Sequence, residues 1–188
     1  IQDMNVYINH TSAPEMRLKF RNTNKITTHE KLKVVIDNSN FNHLITYWGL
    51  NITLLNCKIS STNTYDLDIV SKLFQNHHRI LASINDTLIT ISNSDLYIIN
   101  SEFSMINTAS YHRFILLNAT KNCSIQIKDS HFENNRGHYG LMYIGNNGKI
   151  KVENSTFLGN QAHAPADPVG GGCFKLWQNV SIQIYNST

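Results

Sequence analysis

Eight asparagines stand two residues ahead of a serine or threonine: Asn9, Asn51, Asn85, Asn118, Asn122, Asn154, Asn179 and Asn186. In such a triplet the side-chain amide nitrogen can take an oligosaccharide in the secretory pathway, which requires a wet position. Residues for acid–base or metal chemistry are sparser. Asp66 and Asp68 form the only close acid pair and read as a solvated loop or helix cap. His77-His78-Arg79 and Tyr111-His112-Arg113 each precede an apolar stretch, with no carboxylate or cysteine at ligand spacing, and read as surface loops. Cys57, Cys123 and Cys173 are an odd number. They allow one disulfide with a thiol left over, or a bond to a chain outside this segment. No CxxC or CxxH spacing exists, so no metal is expected. No catalytic residue is assigned, and the chain reads as more plausibly non-enzymatic than enzymatic.

The bounds on the chain agree with this. Its 188 residues suffice for one well-filled domain. Net charge is +3 with 15% charged residues and no lysine or arginine cluster, which argues against nucleic acid. No apolar run approaches the ~20 residues of a membrane span. Ile1-Gln2-Asp3 lacks the basic start and apolar stretch of a signal peptide, so the first residue reads as a mature terminus or an internal cut. There are 25 Asn and 22 Ile. The asparagines alternate with apolar β-formers, as in folded turns rather than in a low-complexity tract.

What must position these side chains is a repeat. Around Asn154 the chain has Ile150 and Val152 before the asparagine, then Ser155 and Phe157. The template recurs as Val34, Ile36, Asn38, Ser39, Phe41, and as Ile52, Leu54, Asn56, Cys57, Ile59. It recurs again as Leu96, Ile98, Asn100, Ser101, Phe103, and as Ile125, Ile127, Asp129, Ser130, Phe132. The last copy is Ile182, Ile184, Asn186, Ser187. Successive anchors lie 18, 44, 29, 25 and 32 residues apart, a constant motif with variable loops. Asn93, Asn122, Asn147 and Asn179 precede four of the anchors by seven residues. A second apolar stretch precedes each of the last five copies, for example LITIS at 88–92 and LMYI at 141–144. Alternating Ile, Leu, Val and Phe predict strands. Only residues 66–83 have a helical period, and they read as an insertion.

These repeats resemble the right-handed parallel β-helix of the pectin-lyase-like superfamily. The Phe132–Asn135 and Phe157–Asn160 spacings, with GGGCF at 170–174, are similar to the FxxN and GGA-type repeats of chlamydial polymorphic membrane proteins and of large secreted protist proteins. GGG stands where that family has GGA. The resemblance covers roughly residues 32–188 and implies an all-β solenoid of about six rungs with inserted loops. Residues 1–31 read as an N-terminal cap or divergent rung, and 32–188 as rungs of a segment of a longer protein. It also implies a choice of function. The leading reading is a non-enzymatic secreted or cell-surface module with a structural, adhesive or recognition role. The alternative is a β-helix polysaccharide lyase or glycoside hydrolase with its catalytic rungs outside this segment.

Stacking predicts an asparagine ladder of Asn38, Asn56, Asn100, Asp129, Asn154 and Asn186, with side chains pointing inward and amides bonded from rung to rung. The Asp129 rung is expected to be looser, because its charge is unfavourable in such a column. Inward amides would leave Asn154 and Asn186 beyond the reach of a glycosyltransferase. That directs glycans, the only added groups expected, to Asn9, Asn51, Asn85, Asn118, Asn122 and Asn179. Outward Tyr97, Tyr185 and Trp177 are candidates for a sugar-stacking strip. The open end at Ile182 and Ile184 predicts further rungs, or another chain, continuing the stack.

Overall fold

A computed structural model describes residues 6–9, 17–20, 32–39, 43–46, 50–60, 87–104, 106, 116–137, 139–162 and 172–188. Every strand pairing in it is parallel, and every described element is a strand. One sheet carries the repeat. Its strands are β1 (Val6–Asn9), β3 (Leu32–Asp37), β5 (Leu50–Leu55), β8 (Asp95–Ile99), β11 (Ser124–Lys128), β15 (Lys149–Glu153) and β19 (Ser181–Tyr185), side by side in that order. A second sheet holds the strands that lead into it: β2 (Arg17–Phe20), β4 (His43–Thr46), β7 (Ile89–Ile91), β10 (Leu117–Lys121), β14 (Met142–Asn146) and β18 (Phe174–Leu176). A third holds the strands that follow: β6 (Lys58–Ser60), β9 (Glu102–Ser104), β12 (His131–Glu133) and β16 (Thr156–Leu158). A short fourth pair joins β13 (Arg136–Gly137) to β17 (Gln161–Ala162). The chain is a parallel β-solenoid.

The register is that of the repeat. Ile52 lies beside Leu96, Leu96 beside Ile125, Ile125 beside Ile150, and Ile150 beside Ile182. Like residues therefore stack at the ~4.8 Å spacing of neighbouring strands. Val34, Ile36, Ile52, Leu54, Leu96, Ile98, Ile125, Ile127, Ile150 and Val152 are at most 2% exposed. Each such side chain contributes about 1.5–3 kcal/mol by leaving water. The second sheet supplies the opposite wall through Ile89, Ile91, Leu117, Met142 and Ile144. The third contributes a ring column: Phe103 stacks on Phe132 at 5.1 Å, and Phe132 on Phe157 at 4.6 Å, with ring planes nearly parallel in both cases. Residues 6–9 and 17–20 add a strand to the first and second sheets. The insertion read at 66–83 lies outside the described residues.

Candidate functional site: the corner ladders and the outward faces

At each sharp bend a single residue adopts the left-handed conformation, which asparagine and aspartate tolerate best among residues with a Cβ. The corner after the motif strand uses Asn38, Asn56, Asn100, Asp129, Asn154 and Asn186, at φ 45–52°. The corner before it uses Asn93, Asn122, Asn147 and Asn179, at φ 47–57°. A third corner, after the phenylalanine strand, uses Asn134 and Gly159, at φ 53° and 63°.

The amides do form ladders. Asn56 Nδ2 donates to Asp37 Oδ1 at 2.9 Å, Asn100 to Asn56 at 2.8 Å, and Asn154 to Asp129 at 3.1 Å. At the other corner Asn122 donates to Asn93 at 3.0 Å, Asn147 to Asn122 at 3.2 Å, and Asn179 to Asn147 at 3.3 Å. Their orientation corrects the sequence expectation. Asn38, Asn56, Asn100, Asp129, Asn154 and Asn186 are all exposed, so the ladder runs up the outside of the corner. Counting alternate residues through the anchor assumes an extended chain. A left-handed residue breaks that alternation and turns its own side chain outward. Burial therefore does not separate Asn154 and Asn186 from Asn122 and Asn179. All four are exposed left-handed corner residues. The Asp129 rung keeps its register: its backbone N–H donates to Glu153 O at 3.1 Å, and Lys128 Nζ lies 3.9 Å from its carboxylate.

The inward ladder belongs to the residue that follows. Ser39, Ser101, Ser130 and Ser155 are 1–4% exposed. Each hydroxyl donates to the carbonyl two residues back, at 2.7–2.9 Å. The hydroxyl oxygens of Ser101, Ser130, Ser155 and Ser187 accept backbone N–H groups from the preceding rung: Cys57 N to Ser101 Oγ, Ser101 N to Ser130 Oγ, Ser130 N to Ser155 Oγ and Ser155 N to Ser187 Oγ, all at 3.1–3.2 Å. Buried polar groups are thus satisfied on both sides. The serine that follows the anchor in five of the six copies is the sequence signal for this inward ladder. At the third corner Asn135, fully buried, donates through Nδ2 to Phe103 O at 2.9 Å and to Asn160 Oδ1 at 2.8 Å. Asn160 donates to Phe132 O at 2.9 Å. The asparagine of each FxxN spacing thus holds the carbonyl of a neighbouring rung's phenylalanine.

Cys57 and Cys123 each follow a left-handed corner asparagine, Cys57 where the other motif copies have serine, and both are buried. Cys57 Sγ donates to Ile36 O and Leu55 O, both at 3.4 Å. Burial pushes the Cys57 thiol above the ordinary value, and does the same to Cys173. No disulfide joins any of the three cysteines in the structure.

The outward faces carry polar pairs: Lys151 with Glu153 at 3.0 Å, His131 with Glu133 at 3.1 Å, and the Tyr7 hydroxyl donating to Asp37 at 2.9 Å. That bond to the carboxylate, which holds the phenol proton in place, raises the Tyr7 pKa. Asn51 and Asn118 lie half-buried at outward strand positions, Asn51 beside Lys33 and Asp95, Asn118 beside Thr90 and Tyr143. The three outward aromatics do not form one strip. Tyr97 aligns with Gln126 and Lys151, whereas Tyr185 aligns with Glu153 and Trp177 follows β18 in the other sheet. Lys151 Nζ lies 5.6 Å over the Tyr185 ring instead.

Among the described residues no three His, Cys, Asp or Glu gather as a metal group, and no helix is long and apolar enough to cross a membrane. Asp66, Asp68, His77, His78, His112 and Asn85 lie outside the described residues, as does the side chain of Asn9. No known protein family, curated protein or solved structure matches this chain.

Proposed function

We propose that the chain is a non-catalytic rod segment of a secreted or cell-surface glycoprotein, serving structure, adhesion or recognition, and related to pectin-lyase-like β-helices. The observation that carries the reading is where the acceptor asparagines lie. Asn51, Asn118, Asn122, Asn154, Asn179 and Asn186 all sit on outward strand positions or exposed corners. A sugar at any of them would stand clear of the apolar columns and of the serine ladder. The interlocked FxxN asparagines support the likeness to polymorphic membrane protein repeats, because the spacing has a structural use in this fold. A continuation of the stack belongs to the same proposal. Ile182 and Ile184 hold core positions of the motif yet are 37% and 52% exposed on β19. Further rungs of the same protein, or a second chain, would cover them.

The test is the native protein. Peptide mapping after enzymatic release of N-glycans should find modified sequons, and surface labelling of intact cells or the culture medium should contain the chain. A chain confined to the cytosol and bare at every sequon would end this reading.

A further inference from the structure

The corner between β14 and β15 is made of Asn147 and Gly148, the only Asn-Gly pair in the chain. The fold demands each residue separately. Asn147 sits at φ 57°, donates from Nδ2 to Asn122 Oδ1 at 3.2 Å and accepts at Oδ1 from Asn179 Nδ2 at 3.3 Å. Gly148 is buried where a Cβ would lie 2.3 Å from Ile144 Cγ2 and 2.9 Å from Gly145 O. No larger residue fits there without moving backbone. The demands meet in the one dipeptide whose second residue offers no side chain to hinder attack by its own backbone nitrogen.

We propose that Asn147 is a latent self-modification site, held dormant by the ladder. The Gly148 nitrogen attacks Asn147 Cγ, forming a C–N bond and closing a five-membered succinimide. The Cγ–Nδ2 bond breaks and ammonia leaves, carrying the proton from the Gly148 nitrogen. Water then adds to either imide carbonyl, opening the ring to aspartate or to the β-linked isoaspartate. The closed corner resists the first step in three ways. The Gly148 N–H is bonded to Gly145 O at 3.0 Å, so the attacking nitrogen is turned away. Both ends of the Asn147 amide are held by neighbouring rungs. The Asn147 backbone N–H is tied to Gln178 O at 3.1 Å. Reaction therefore proceeds through the opened corner, and its rate follows the open population.

The products cannot rebuild the ladder. An aspartate side chain at this position still accepts from Asn179 but has no proton for Asn122 Oδ1. Isoaspartate adds a main-chain carbon to a rung held in residue-for-residue register. Modification at Asn147 would thus loosen the stack on the side carrying β18 and β19.

The test ages the purified chain in mildly alkaline buffer, native and in urea, with peptide mapping that resolves aspartate from isoaspartate. Position 147 should be the leading site in urea and nearly unmodified in the native protein. Asn179→Ala removes one restraint and should raise the native rate roughly fivefold, the population change that loss of one ladder bond produces. If that variant unfolds, Asn122→Ala removes the bond at the other end of the Asn147 amide and should raise the rate likewise. Equal rates in urea and native buffer, a different leading site in urea, or native rates unmoved in both variants would overturn the proposal.

Discussion

Replacing Asp129 by asparagine should join two separate amide runs into one. The first run is Asp37, Asn56 and Asn100; the second is Asp129 and Asn154. They are separate because donation passes from each rung to the one before it, and a carboxylate at position 129 has no N–H for Asn100. Asp129→Asn supplies that donor, and a neutral hydrogen bond of this kind adds about 0.5–1.5 kcal/mol. Two losses oppose the gain. The Lys128 contact at 3.9 Å involves side chains 54% and 46% exposed, so it is worth at most a few tenths of a kcal/mol. The bond from Asn154 loses its charged acceptor, but at that exposure the charge is largely screened by water. The balance favours stabilisation by roughly 0.5–1 kcal/mol, or about 1–4 °C in Tm for a chain of this size. Thermal and urea unfolding would measure it. Removing a charge and improving the left-handed preference could raise Tm without any ladder bond, so the decisive comparison repeats the change in an Asn100→Ala background. If the gain persists undiminished there, or if Asp129→Asn lowers Tm, the directional account of the ladder is wrong.

Other consequences are as direct. Ser130→Ala should cost about 1–3 kcal/mol in urea unfolding, because it strips a buried acceptor from the Ser101 N–H; Asn154→Ala, on the exposed ladder, should cost less. Cys57→Ser places a hydroxyl where the other rungs have one and should leave stability within about 1 kcal/mol of the parent. Burial raises the Cys57 and Cys173 thiol pKa, so the folded state keeps its protons while the unfolded chain ionises. The stability this reflects is intact below the unfolded thiol value of about 8.5 and declines as pH rises past it. Replacing both thiols by serine should flatten that part of a pH series of unfolding midpoints. In protein secreted from a eukaryotic host, peptide mapping should find sugar at Asn51 or Asn118, which stand outside the amide ladders, more fully than at Asn122, Asn154 or Asn179, whose amide nitrogens donate within them.

The architecture was legible because the same five-position pattern recurs in six copies with different loop lengths. Ile, Leu and Val at two alternate positions before an asparagine allow few structures other than stacked strands. What was misread lay at the anchor itself. Core residues fall at even offsets before Asn100 (Leu96, Ile98) and at odd offsets after it (Ser101, Phe103). That change of parity was present in the letters and means that the bend removes the anchor from the alternation. Read so, it would have turned Asn100 outward and Ser101 inward. The aromatic strip failed for a different reason. Tyr97, Tyr185 and Trp177 face outward, but which rungs are neighbours, and which column each occupies, emerges only from the register.

The ladder also has a sense. In both exposed corner runs the later rung donates and the earlier one accepts, whereas at the buried third corner Asn135 donates forward to Asn160. A column of this kind is a directed chain with unlike poles, and an acid fits only at the accepting pole, as Asp37 and Asp129 do. Anything added beyond Asn179 must bring a donor to its oxygen. Two such rods placed pole to like pole would set donor against donor or acceptor against acceptor. A rung continuing the two exposed runs would meet them with matched donor and acceptor only head to tail.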